Sequence, residues 1–237
     1  MTILEYRLLS LNRYDTFEHA PPWRGVLDSW NCVLAGDRLV AQTDRPFASA
    51  ELARADLEPR LSAWQAVAYL NGQYEITFRF DGGAPAEGAQ EPADPDGEDR
   101  IYRRTNDGYP PPDPSFTRTE LVEQLLDDIG RFRRGEESLP AVAAVALRRL
   151  RTLANGSDSV TSLAAALNVE PDVIAKAIEL AAQDRGPITP GDGPPAYRGP
   201  EWQWLQEALP RLTLQAGRAS DGPPAKRLTM DDFATRL

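Results

Sequence analysis

Residues 74–81 read YEITFRFD, and this stretch decides the fold of the first half of the chain. Tyr74, Ile76, Phe78 and Phe80 alternate with Glu75, Thr77, Arg79 and Asp81. Successive side chains of a strand point to opposite faces, so strict alternation specifies a strand with one buried and one wet face. Such a strand needs an apolar layer to cover it. The preceding run supplies one, because Leu52, Leu57, Leu61, Trp64, Val67 and Leu70 recur at helical spacing across residues 50–70. Ser49 is placed to cap that helix, Glu51 suits its positive end, and Asn71-Gly72 ends it. Pro59 lies inside the run and is expected to kink or split the helix, since its ring removes a hydrogen bond and meets the preceding turn.

Working outward toward the N-terminus, Leu4, Tyr6 and Leu8 share one face of a second strand within residues 3–11. Residues 12–24 are polar and end in Pro21-Pro22-Trp23, which reads as a loop. Residues 25–31, with Val26, Leu27 and Trp30, read as a short helix or turn. Residues 32–41, CVLAGDRLVA, form two apolar arms around Gly36-Asp37, a hairpin signal. Beyond the YEITFRFD strand, residues 82–100 are rich in Gly, Ala, Pro, Glu and Asp. They carry too little apolar surface to offset the entropy of ordering and read as a mobile acidic loop. Residues 101–104 return as a strand. Residues 106–114, with Tyr109 and three consecutive prolines, favour polyproline II. The expectation is an α+β domain over residues 1–115, a small antiparallel sheet packed on a long helix.

From Phe116 the pattern becomes helical. Thr117 and Glu120 have capping-box spacing. Leu121, Val122, Leu125, Leu126, Ile129 and Phe132 line one face, and Gly135 stops the helix. Ser138 and Pro140 start another, which Asn155-Gly156 ends. Residues 159–186, SVTSLAAALNVEPDVIAKAIELAAQDRG, read as two short helices around a tight turn. Ser159 or Thr161 caps the first. Asn168 tolerates the left-handed backbone that ends it, Pro171 suits the first position of the second, and Gly186 closes the pair. Residues 187–200 form a Pro/Gly-rich linker. Residues 201–214 are helical, with Pro210 disturbing them, and residues 217–225 read as polar and flexible. The tail RLTMDDFATRL is a short docking helix capped by Thr229. Residues 116–237 are therefore expected to form an all-helical domain.

Thr161, Leu163, Ala164, Leu167, Val169, Val173, Ala177 and Ile178 resemble the helix-turn-helix of bacterial regulators, with Asn168 where that motif usually has Gly. The resemblance implies that the second helix reads duplex DNA. The basic residues available for it are Arg148, Arg149, Arg151, Lys176 and Arg185. A recognition helix needs Arg, Lys, Asn or Gln directed at base edges and phosphates. The outward positions here are Asp172, Ala175, Lys176, Glu179 and Asp184, which favour a packing role.

Composition narrows the remaining classes. The chain has 237 residues and a net charge of −10, which disfavours nucleic acid and anionic membranes. No signal peptide or membrane-length apolar run is present, so a cytoplasmic bacterial protein without membrane contact is expected. One cysteine, Cys32, excludes an internal disulfide framework. With one histidine, His19, the chain has no structural zinc set and only a Cys32–His19 pair for thiol catalysis. The acidic residues 94–99 lack the sixth-position Gly of a calcium loop, which here is Asp99, and Thr105 stands at the twelfth position. There is no phosphate loop, dinucleotide fingerprint or nucleophile elbow. Asp127-Asp128, Glu136-Glu137 and Asp231-Asp232 read as solvated faces. No catalytic, cofactor or metal site is therefore assigned. The leading expectation is a non-catalytic interaction or adaptor protein with a protein partner. Its contact surfaces would be the acidic loop, the Trp202/Trp204 region and the tail with Phe233, because Trp is enriched at binding hot spots. A DNA-binding regulator comes second and an enzyme of unrecognised type third.

Overall fold

A computed structural model of the chain describes residues 1–10, 15–17, 20–72, 76–82, 104–105, 108–183 and 199–233. They fall into two units, Met1–Pro114 and Ser115–Leu237. The first is α+β. Its strands are β1 (Thr2–Ser10), β2 (Asp15–Thr16), β3 (Trp23–Leu27), β4 (Trp30–Ala35), β5 (Arg38–Thr43), β6 (Ile76–Gly82) and β7 (Arg104–Thr105), and its helix is α1 (Ala50–Leu70). Five of them make an antiparallel sheet in the order β3-β4-β5-β1-β6, while β2 and β7 pair in parallel.

Alternation sets the faces. Leu4, Tyr6 and Leu8 of β1 are buried, and so are Trp30, Cys32 and Leu34 of β4. The reading of residues 25–31 as a helix or turn is corrected: they close β3 and open β4. Leu27 pairs directly with Trp30, so the chain reverses through Asp28-Ser29, with Asp28 at φ 52°. The inward positions pass from Leu27 in β3 to Trp30, Cys32 and Leu34 in β4, so the two-residue turn breaks the period of two and a run scanned straight through it loses the alternation. The Gly36-Asp37 hairpin forms as expected, with Ala35 opposite Arg38 and Gly36 at φ 58°.

Ser49 caps α1 by accepting from the Leu52 amide at 3.3 Å. Pro59 does not split the helix, which runs 21 residues through it. Pro59 is exposed, so the carbonyl freed by its missing N–H faces water. Trp64 anchors α1 to the sheet. Its ring lies 4.6 Å from that of Trp23 and 5.1 Å from that of Phe78, and its Nε1 donates to the Pro110 carbonyl at 2.6 Å. Near the other end of the helix, the Asp56 carboxylate accepts from Trp30 Nε1 at 2.9 Å and pairs with Arg45 at 3.0 Å.

The second unit is helical: α2 (Glu120–Arg133), α3 (Leu139–Leu150), α4 (Val160–Leu167), α5 (Pro171–Ala181) and α6 (Pro200–Arg218). Ser138 and Ser159 cap α3 and α4. The cap of α2 is Thr119, not Thr117. The Thr117 amide instead donates to Gly217 O at 2.9 Å, which holds that residue outside the helix. Asn168 ends α4 at φ 48°, and Pro171 is the first residue of α5. Pro210 lies inside an unbroken α6. That helix extends to Arg218, so Gly217 is packed helix and not loop. Trp204, Leu205, Leu209 and Leu212 meet Val142, Leu150, Leu163, Leu167, Val173 and Ile174 in one core. The acidic loop beyond Gly82, the linker before Gly199 and the proposed stop at Gly186 lie outside the described residues.

Candidate interaction surfaces

One face of the sheet packs on α1. The other carries Ile3, Glu5, Arg7 and Leu9 on β1, with Val40, Arg38 and Gln42 beside them on β5. Asn31, Val33 and Ala35 of β4 and Arg24 and Val26 of β3 continue it on one side; Thr77, Arg79 and Asp81 of β6 continue it on the other. None of these side chains is buried, and Val26 is 60% exposed. Arg7 stands directly opposite Arg38 on one neighbour and Arg79 on the other, so three arginines form a row across β5, β1 and β6. Like charges at such positions repel. Carboxylates offset part of this: Arg38 meets Glu5 at 2.5 Å, and Arg7 lies 3.7 Å from Asp37 and 3.5 Å from Asp81. Arg24 and Arg79 are exposed and have no ion-pair partner among the described residues.

A different arrangement surrounds the α4–α5 turn. Residues 222–233 lie against it as a strap. Leu228 bridges Val169 in parallel, and the Asn168 side chain donates to Pro224 O at 2.6 Å. Gln215 Nε2 reaches Lys226 O at 2.9 Å, and the Met230 amide donates to Glu170 Oε2 at 3.0 Å. The expected docking helix is a single 3-10 turn at Met230–Asp232, closed by Thr229 and Asp232 as a capping box. The Thr229 amide holds the Asp232 carboxyl below its ordinary range. Phe233 ends the strap against Trp204, with ring centres 4.9 Å apart.

Burial places two of the three candidate partner residues, Trp204 and Phe233, in the core. Trp204 is fully buried and Phe233 nearly so, and both belong to the core of the helical unit. An i, i+2 pair on a helix points to two sides, and Trp204 has the inner one. Trp202 is half-buried against the same core. Three of the five basic residues considered for nucleic acid are engaged with carboxylates. Arg149 meets Asp128 at 2.8 Å, Arg151 meets Asp158 at 2.6 Å, and Lys176 lies 3.0 Å from Glu179 and 3.7 Å from Glu201. Arg148 is exposed, and Arg185 lies outside the described residues. The exposed positions of α5 are Asp172, Ala175 and Glu179, as its sequence indicated.

One acidic pair was misread. Asp127 is exposed, but Asp128 is fully buried, and its carboxylate joins Arg131 on α2 to Arg149 on α3. Adjacent residues on a helix point about 100° apart, so the composition of a pair says nothing about which member turns inward. Arg149 also donates to Gln124 at 2.5 Å, and Arg131 pairs with Glu137 at 2.6 Å. This network locks two helices.

Cys32 sits in the first unit's core, and burial pushes its thiol up to about 12. A thiol so protonated is a poor nucleophile near neutral pH. His19 lies outside the described residues. Among the described residues no three His, Cys, Asp or Glu side chains are grouped to hold a metal ion, and no helix is long and apolar enough to cross a membrane. No protein-family profile matches this chain, and no curated protein or solved structure matches it.

Proposed function

We propose that this chain is a non-catalytic interaction protein of the bacterial cytoplasm that binds a protein partner through the open face of its sheet. The observation that carries the reading is that face. It combines half-exposed Ile3, Val33 and Val40 with exposed Val26 and four arginines, and none of these side chains is buried. Arginine with apolar neighbours is the composition enriched at protein interfaces. The lone cysteine is a buried free thiol, which suits a reducing compartment.

Binding of duplex DNA by α5 has less support. Its exposed positions carry Asp172 and Glu179, its one lysine is paired with two carboxylates, and the strap occupies the turn before it. Affinity capture of the full chain from its source cells, followed by quantitative mass spectrometry, tests the interaction reading. A partner enriched over a scrambled-face variant supports it, and none enriched over background refutes it.

A further inference from the structure

We infer that the open sheet face takes an acidic protein segment, held across the row Arg38–Arg7–Arg79 with Arg24 as an outlying contact. The inference rests on the interaction reading and adds the chemistry of the partner. The register puts Arg7 opposite both Arg38 and Arg79. Neighbouring strands are about 4.8 Å apart, so the row spans about 10 Å, the reach of roughly three extended residues. Among the described residues the row is only partly neutralised. Glu5, Asp37 and Asp81 serve Arg38 and Arg7, which leaves Arg79 and Arg24 as cations without a described ion-pair partner on this face of a chain whose net charge is −10. Placing cations side by side costs stability unless an anion lies over them. A partner's carboxylates would supply that anion, and the arginine fork donates two parallel hydrogen bonds to a carboxylate.

The apolar side chains decide between kinds of anion. Val33 and Val40 are direct cross-strand neighbours, with Val26 exposed nearby on the edge strand. A single-stranded nucleic acid needs aromatic rings on which its bases stack. Among the described residues this face has none, because Tyr6, Phe78 and Phe80 belong to the α1 side with Trp64. Aliphatic side chains beside arginines suit a segment that alternates acidic and aliphatic residues.

The test measures fluorescence anisotropy of a labelled peptide of alternating Glu and Val against the full chain. Matched probes are a Lys–Val peptide and oligo-deoxythymidine. R24E/R79E reverses the two unmatched cations and disturbs no described ion pair; R148E makes the same change on the helical unit. The wild type and R148E are expected to bind the Glu–Val peptide alike. R24E/R79E should bind it at least tenfold more weakly and gain affinity for the Lys–Val peptide. If R24E/R79E does not fold by circular dichroism, R24Q/R79Q replaces it, with a smaller loss in the same direction. Three results overturn the inference: no binding of the Glu–Val peptide by the wild type, equal binding by the variant, or tighter binding of oligo-deoxythymidine. A cellular partner captured equally by the wild type and R24E/R79E, but lost with the scrambled-face variant, removes the acidic-segment chemistry while leaving the interaction reading intact. Absence of any captured partner overturns that broader reading itself.

Discussion

The backbone of Leu228 is hydrogen-bonded on both sides of Val169: its amide donates to Asn168 O at 3.1 Å, and its carbonyl accepts from the Glu170 amide at 2.8 Å. The strap thereby supplies the α4–α5 turn with partners that a free turn would take from water. Asn168 itself combines a left-handed φ of 48° with a side-chain bond to Pro224 O. Replacing it by Ala loses the bond and strains the backbone, at about 1 kcal/mol each. N168A is expected to lose about 2 kcal/mol in urea unfolding, and N168G, which accepts the backbone, about half of that. Equal losses would show that the side-chain bond alone matters.

Asp128 and Asp127 provide an internal contrast. Asp128 is fully buried between Arg131 and Arg149, whereas Asp127 is largely exposed and lies 3.6 Å from Arg131. Removing one member of a buried ion pair leaves an uncompensated charge, at about 3–5 kcal/mol for fully buried partners. The arginines here keep partial contact with water, so D128N should cost about 2 kcal/mol. D127N should change stability by less than about 0.5 kcal/mol. Chemical denaturation of the two variants checks the difference.

Gly217 touches the ring of Phe116, and a Cβ there would overlap it. G217A should destabilise the helical unit by about 2 kcal/mol through overpacking. F116L shortens the ring that the methyl meets. The double variant G217A/F116L is therefore expected to be more stable than the sum of the single changes, read from a double-mutant cycle.

Stability should fall in alkali in two stages. Burial pushes the Cys32 thiol up to about 12 from an ordinary value of 9.0. Burial, and then the Glu58 carboxylate, push Tyr6 up to about 12 from 10.0. Both groups are neutral when protonated, and the unfolded chain gives up the proton first. Their stabilisation is complete below about pH 9 and is lost as pH rises toward 12. C32A should flatten the decline above pH 9, and Y6F the decline above pH 10. Arg54 lies beside the Tyr6 hydroxyl and favours its charged form, so Y6F should cost no more than about 1 kcal/mol at pH 7. A melt series from pH 7 to 11 separates these outcomes.

The fold was legible where the pattern was long. Alternation in YEITFRFD and in residues 3–11 found two adjacent strands, and helical spacing across residues 50–70 found their cover. Short elements were less visible. Residues 25–31 join two strands through a turn, so neither half shows enough alternation to identify itself. The α2 cap was misplaced by two residues because Thr117 is bonded to Gly217, a partner one hundred residues away in sequence. The candidate surface was hidden for a related reason. Arg7, Arg38 and Arg79 are scattered along the chain, and only sheet register brings them into one row. The signal that could have found them was the wet half of each alternating strand, which had been used only to locate the buried half.

The sheet also constrains the order of assembly. β1 is the earliest strand in the sequence, yet it lies inside the sheet with β5 and β6 on its two edges. During synthesis Leu4, Tyr6 and Leu8 emerge before the other strands of this sheet, and the neighbour of β1 on one side arrives only with residues 76–82. Although β5 and α1 are made earlier, one edge of β1 lacks its hydrogen-bonding partner until then, and completion of the sheet waits on one late strand. A ribosome paused before residue 76 would hold a chain unable to complete its own centre.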